Sequence, residues 1–171
     1  MPAISILNDV LGPVMRGPSS SHTAGSHRIG RLAAALLGEP VRRARFAFDP
    51  DGSYAQVFRE QGVDLALAAA LLGWELTDTR FAEALTAVRP AGLDVDFDVG
   101  PLPGADHPNT VDITLIGASG GELSARARST GGGSISLDRL GVWPVALDGT
   151  AFELLRSEER RVGKECRSRW S

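Results

Sequence analysis

The stretch TVDITLIGASGGELSARARST, residues 110–130, decides the fold. Thr110–Ile116 and Glu122–Thr130 read as strands flanking the glycine-bearing segment Gly117–Gly121, which predicts a β-hairpin. β signals continue on both sides of it. Upstream, Asp94–Val99 alternates strictly, with Val95, Phe97 and Val99 on one face and Asp94, Asp96 and Asp98 on the other. Downstream, Ser134–Leu137 and Val142–Leu147 predict two further strands. The aspartate stripe is not expected to hold a metal, because alternate strand positions stand about 7 Å apart, too far for one small ion to collect all three. A charged strand face turned towards Arg126 and Arg128 across the sheet is the expectation.

The first half of the chain carries helical periodicity instead. Ile6, Leu7, Val10 and Leu11 share one face of a short helix over Ile4–Leu11, which ends at the Gly12–Pro13 break. From Thr23 to Leu37 the residues Ile29, Leu32, Ala33, Leu36 and Leu37 recur at helical spacing, and Gly38 closes the helix. Arg45–Asp49 reads as a strand closed by the turn residues Asp49, Pro50, Asp51 and Gly52. Asp64–Leu72 is almost wholly apolar and predicts a buried helix. Thr77 or Asp78 caps another helix, with Phe81, Leu85 and Val88 as its packing stripe and Pro90 and Gly92 as its end. Helices among the early strands and a run of later strands predict an α+β domain, a mixed β-sheet with its helices mainly on one face.

Composition bounds the chemistry. The chain has 171 residues, 43% hydrophobic and 23% charged, enough for one globular core. The longest apolar run, Leu65–Leu72, is far short of the roughly 20 residues a membrane helix needs, and the N-terminus lacks a basic-then-apolar signal pattern. A cytoplasmic protein without membrane contact is expected. The segment RSEERRVGKECRSRWS, residues 156–171, differs from the rest: it holds the only lysine, Lys164, and the only cysteine, Cys166. It back-translates in one frame to a run like a synthetic sequencing adapter, so residues 1–155 are read as the domain and 156–171 as a non-native tail. Removing the tail's six basic and three acidic residues leaves 12 against 18, a net charge of −6, which argues against nucleic-acid binding. With no lysine in the body, an internal aldimine with pyridoxal phosphate has no anchor. With no cysteine there, a thiolate-held metal or cluster would belong to another chain.

The most informative loop is GPSSSHTAGSHRIG, residues 17–30, a serine-rich segment running into a helix N-terminus. The first turn of a helix leaves backbone N–H groups unpaired and carries a partial positive potential, so a small carboxylate can dock there. Ser19, Ser20, Ser21 and Thr23 add hydroxyls around that point, and His22 is the group among them that can exchange protons near neutral pH. The plainer alternative is that Ser21 or Thr23 only caps the helix. His27 and Arg28 are expected on a solvated helical face. Gly131, Gly132 and Gly133 could form an ordinary turn or let backbone approach a ligand or subunit closely.

The stretch GPVMRGPSSSHTAGSHRIGR resembles the N-terminal signature of the β chains of iron–sulfur L-serine dehydratases, in which GPSSSHT opens the active site. HPNT at His107–Thr110 resembles a second histidine motif of that family, STGGGSI at Ser129–Ile135 its glycine-rich SIGGG segment, and FAFDPDGSYAQ its strand followed by GSFA. The likeness covers roughly residues 4–150. It implies the fold of the serine dehydratase β domain, which also resembles the allosteric substrate-binding domain of some phosphoglycerate dehydrogenases. It further implies a hetero-oligomer whose partner, the α chain, ligates a [4Fe–4S] cluster, the pair turning L-serine into pyruvate and ammonia. By carry-over His22 belongs to the active site, and Ser19, Ser20, Ser21 and Thr23 are candidates to hold the substrate carboxylate. His107, Asn109 and Gly131–Gly133 are carried over as substrate-binding residues, at the active site or at a second serine site.

Two departures stand out. Where the family reads GHGTD this chain has EQGVD, so Gln61 replaces a histidine, and glutamine cannot usefully take up a proton. A base role then falls to His22, Glu60 or the α chain; alternatively the domain senses serine or a related small carboxylate without turning it over. Family β chains commonly continue into an ACT regulatory domain, and the change of character at residue 156 leads to the expectation that this sequence is truncated before it.

Overall fold

A computed structural model describes residues 14–149. The helix expected over Ile4–Leu11 and the tail from Arg156 onward lie outside the described residues. Six strands, β1 (Val41–Phe48), β2 (Asp94–Val99), β3 (Thr110–Gly117), β4 (Glu122–Gly131), β5 (Ser134–Leu140) and β6 (Trp143–Leu147), form one sheet in the order β2-β1-β3-β4-β5-β6. β1 and β2 run parallel and every other pair is antiparallel, so the sheet is mixed as the sequence predicts. The parallel pair needs a crossover, and the helices α2 (Ser53–Val57), α3 (Val63–Leu71) and α4 (Ala84–Ala87) lie within it.

Helix α1 (Gly25–Leu37) packs against β3, β4, β5 and α3, covering one face of the sheet. Its left-handed terminator is Gly38 at φ 73°, whose N–H returns to the Ala34 carbonyl. Phe46 and Phe48 of β1, Val111, Ile113 and Leu115 of β3, and Leu137 of β5 meet Ile29, Ala33, Tyr54, Val63 and Leu67 in a core with almost no solvent access. Each such large side chain contributes about 1.5–3 kcal/mol by burial. Apart from Asp64 in its first turn, α3 is apolar because it is covered on both sides: Val63 and Leu67 join that core, while Ala66, Ala68 and Ala69 pack on Phe81, Ala84, Val88 and Leu93.

Four expectations change. β1 begins at Val41, well before Arg45, because Arg43 and Arg45 project from the uncovered face while Ala44 and Phe46 point into the core. The expected Phe81–Val88 helix is a short 3-10 turn, Phe81–Glu83, followed by the single turn of α4; Ala84 rather than Leu85 completes its packing stripe, and Leu85 is exposed. Asp78 caps the preceding turn, its carboxylate accepting from the Arg80 N–H. The aspartates of β2 do not face Arg126 and Arg128, since β2 lies at the sheet edge beside β1. Asp94 and Asp98 pair with Arg43 and Arg45, whereas Arg126 binds Asp112 through two hydrogen bonds of 2.6 and 2.7 Å and Arg128 binds Asp106 and Asp138.

Candidate functional site

The serine-rich segment enters α1 through a wider turn. Residues Ser20–Ala24 form one π-helical turn, closed by the Gly25 N–H on the Ser20 carbonyl, so the helix begins three residues before Thr23. Ser19 is its N-cap in extended conformation: its side-chain oxygen accepts from the His22 N–H at 3.3 Å and its carbonyl from the Thr23 N–H at 2.7 Å. Thr23 is fully buried, and its hydroxyl donates to the Gln61 carbonyl at 3.0 Å. That bond ties the turn to Gln61 of the EQGVD segment.

The half-buried imidazole of His22 is surrounded by hydroxyls. Its Nδ1 lies 3.1 Å from Ser19 Oγ and 3.0 Å from Ser21 Oγ, and its Nε2 lies 3.1 Å from Ser53 Oγ. Burial lowers its pKa below the ordinary 6.5, so the ring is neutral at pH 7 and has a lone pair to offer. Tyr54 supports it from below, edge-on to the imidazole with ring centres 5.3 Å apart. The Tyr54 hydroxyl donates to the Ser21 carbonyl at 3.2 Å and accepts from Ser26 at 2.9 Å. Burial pushes that phenol up to about 12, an effect its bond with Ser26 partly offsets, so Tyr54 stays protonated and acts as a strut.

The second histidine motif is brought to the same end of the molecule. The Pro108 carbonyl accepts from the Tyr54 N–H at 3.2 Å, and a side chain on Gly52 would come within 2.7 Å of that carbonyl, so the loop and the start of α2 meet closely. HPNT is a self-contained turn: the His107 carbonyl accepts from Thr110 N–H and Oγ, and the Asn109 N–H donates to His107 Nδ1 at 3.1 Å. The Asn109 carbonyl accepts from the Ser129 N–H at 3.2 Å, which joins this loop to the end of β4. Ser129 lies so close under Gly25 that a side chain there would collide with its hydroxyl. Asn109 Oδ1 is buried and without a hydrogen-bond partner.

Gly132 and Gly133, at φ 60° and 84°, form the tight turn between β4 and β5, the positive-φ pair that a two-residue hairpin favours. Gly131 has open space where a side chain would stand. The structure therefore gathers Ser19–Thr23, His107–Asn109 and the end of β4 around the start of α1. Cavities of about 290 and 260 Å³ border this region, the first lined by Asp49, Asp51, Asp106 and His107, the second by Arg16, Pro18, Glu60 and Gly62.

His27 departs from the expected solvated face. It is buried, with Nε2 2.7 Å from the Trp74 carbonyl, because α1 packs its second turn against the end of α3. Sequence reading assigned no role to Ser53, Tyr54 or Ser129, although the GSYAQ and STGGG motifs contained them. Among the described residues no group of three or more His, Cys, Asp or Glu side chains is placed to hold a metal ion, so these residues do not fit as the ligands of a cluster. No described helix is long and apolar enough to cross a membrane.

The chain is 40% identical over 158 residues to the probable L-serine dehydratase, beta chain, of Bacillus subtilis (strain 168), covering 91% of this chain and 69% of that protein. It is 34% identical over 145 residues to the L-serine dehydratase, beta chain, of Peptoniphilus asaccharolyticus, covering 85% of this chain and 61% of that one. No protein-family model matches the chain.

Proposed function

Because the chain belongs to the L-serine dehydratase β-chain family, we propose that it serves as the β subunit of an enzyme that deaminates L-serine to pyruvate and ammonia. The observation that carries this reading is the neutral imidazole of His22 set among hydroxyls at the mouth of a helix. The substrate carboxylate would lie against the Ser19–Ser21 segment, where the first-turn amides and hydroxyls favour an anion. His22 Nε2 would accept the Cα proton once the Ser53 hydroxyl, 3.1 Å away, has swung off it. Departure of the β-hydroxyl as water leaves an aminoacrylate, which rearranges to an imine and hydrolyses to pyruvate and ammonia.

The family resemblance implies a [4Fe–4S] cluster on a partner α chain, which would activate the leaving hydroxyl, and the cysteine-free body offers such a cluster no thiolate of its own. His107, Asn109 and Gly131–Gly133 would complete the pocket. The test is anaerobic assembly of this chain with a cluster-bearing α chain, followed by measurement of pyruvate from L-serine. Serine-dependent pyruvate from the pair, and none from this chain alone, is the expected result. An intact cluster without turnover would overturn it.

Gln61 in place of the family histidine favours a second reading, a module that senses serine without chemistry. Calorimetry separates the two: saturable serine binding in an assembly that releases no pyruvate would establish sensing.

A further inference from the structure

The chain has three histidines, and their hydrogen-bond partners differ in kind. A carbonyl oxygen can only accept, so the Trp74 carbonyl fixes a proton on His27 Nε2. A backbone N–H can only donate, so Asn109 fixes a lone pair on His107 Nδ1. His22 is different: every one of its ring partners is a serine hydroxyl, which can donate or accept by rotating.

The distribution of those hydroxyls bears on the tautomer. Two oxygens, Ser19 Oγ and Ser21 Oγ, face Nδ1, while one, Ser53 Oγ, faces Nε2. An N–H at Nδ1 can be shared between two oxygens, whereas a lone pair there takes one hydroxyl and leaves the other to its neighbour, the two oxygens lying 3.2 Å apart. With a proton shared at Nδ1, the basic lone pair stands on Nε2, where the Ser53 hydroxyl donates to it. When Nε2 takes a proton, Ser53 turns and accepts the new N–H. Neither protonation state leaves the nitrogen without a partner.

We propose that Ser53 is a positioning residue for His22, making Nε2 the basic atom and holding the ring through both protonation states. Its own position is set by its neighbours, since the Tyr54 N–H and the Gly52 backbone both abut the Pro108 carbonyl. The proposal rests on the dehydratase reading for its consequence in turnover, but its structural half stands alone.

Nitrogen-15 NMR of the full chain at neutral pH tests that half. The His22 signals should show a protonated Nδ1 and an unprotonated Nε2, and Ser53→Ala should move the Nε2 resonance while Ser53→Thr restores it. A protonated Nε2 in the unaltered chain, or identical shifts in Ser53→Ala, would overturn the proposal. In the assembled enzyme Ser53→Ala should lower kcat about 10- to 100-fold with KM little changed, and Ser53→Thr should recover most of it. An unchanged kcat in Ser53→Ala would equally overturn it. If the unaltered pair makes no pyruvate, the dehydratase reading fails, and the NMR result still decides the role of Ser53.

Discussion

The uncovered face of the sheet and the serine turn at the start of α1 are both rich in polar groups, yet they use them in opposite ways. On the sheet face Arg43, Arg45, Arg126 and Arg128 each meet an aspartate, so charge is matched by charge and the pairs stand partly in water. At the turn the groups are neutral, half-buried hydroxyls around one imidazole whose charge burial suppresses. A matched ion pair has little left to offer a substrate. A hydroxyl that can reverse its hydrogen bond does, which is why the proposed chemistry is placed at the turn although the greater charge lies elsewhere.

The sharpest way to break this contrast is His22→Gln in the assembled enzyme. Pyruvate release should fall about 10²- to 10⁴-fold, the usual contribution of a positioned base, while thermal unfolding of the chain changes little. Next comes Tyr54→Phe, which strands the buried Ser26 hydroxyl and the Ser21 carbonyl. Denaturant unfolding should show a loss of about 1–3 kcal/mol. On the opposite face Arg45→Ala should cost under about 1 kcal/mol by the same measurement and leave turnover intact, because the pair it breaks with Asp98 is solvent-exposed.

The smallest effect is in the pH dependence of stability. Burial holds His22 and His27 below their ordinary 6.5, so the unfolded chain binds more protons wherever the pH lies between that value and the lowered ones. Stability should be fully present at neutral pH and decline as the pH falls from 6.5 through the folded-state values. His22→Gln and His27→Gln should each flatten that slope in urea titrations at successive pH values.

Much of the fold was legible because periodicity reports burial on one side. The β3–β4 hairpin, the α1 stripe ending at Gly38 and the apolar α3 all express a face that must leave water. What periodicity missed has physical causes. The pattern starts β1 only at Arg45 because two consecutive exposed arginines, Arg42 and Arg43, interrupt the alternation ahead of it, and the Phe81–Val88 segment has helical spacing although only one turn of it is α-helix. The partners of the β2 aspartates depended on strand order, which local pattern does not contain.

At the site, the segment Ser19–Thr23 was visible as a motif. Ser53 and Tyr54 were not, because their role arises from a fold that brings residues 31 and 33 positions away onto His22 and Ser21. His27 was misread for a related reason: its burial depends on Trp74, 47 residues away.

The central claim, that His22 removes the substrate's Cα proton, is tested most directly by hydrogen exchange at that carbon. L-Serine incubated in D₂O with the anaerobic pair would be recovered before complete turnover and its Cα deuterium measured by NMR or mass spectrometry. The account expects deuterium in the remaining serine with the unaltered chain and none with His22→Gln. Undiminished exchange in His22→Gln would place the base elsewhere and contradict it.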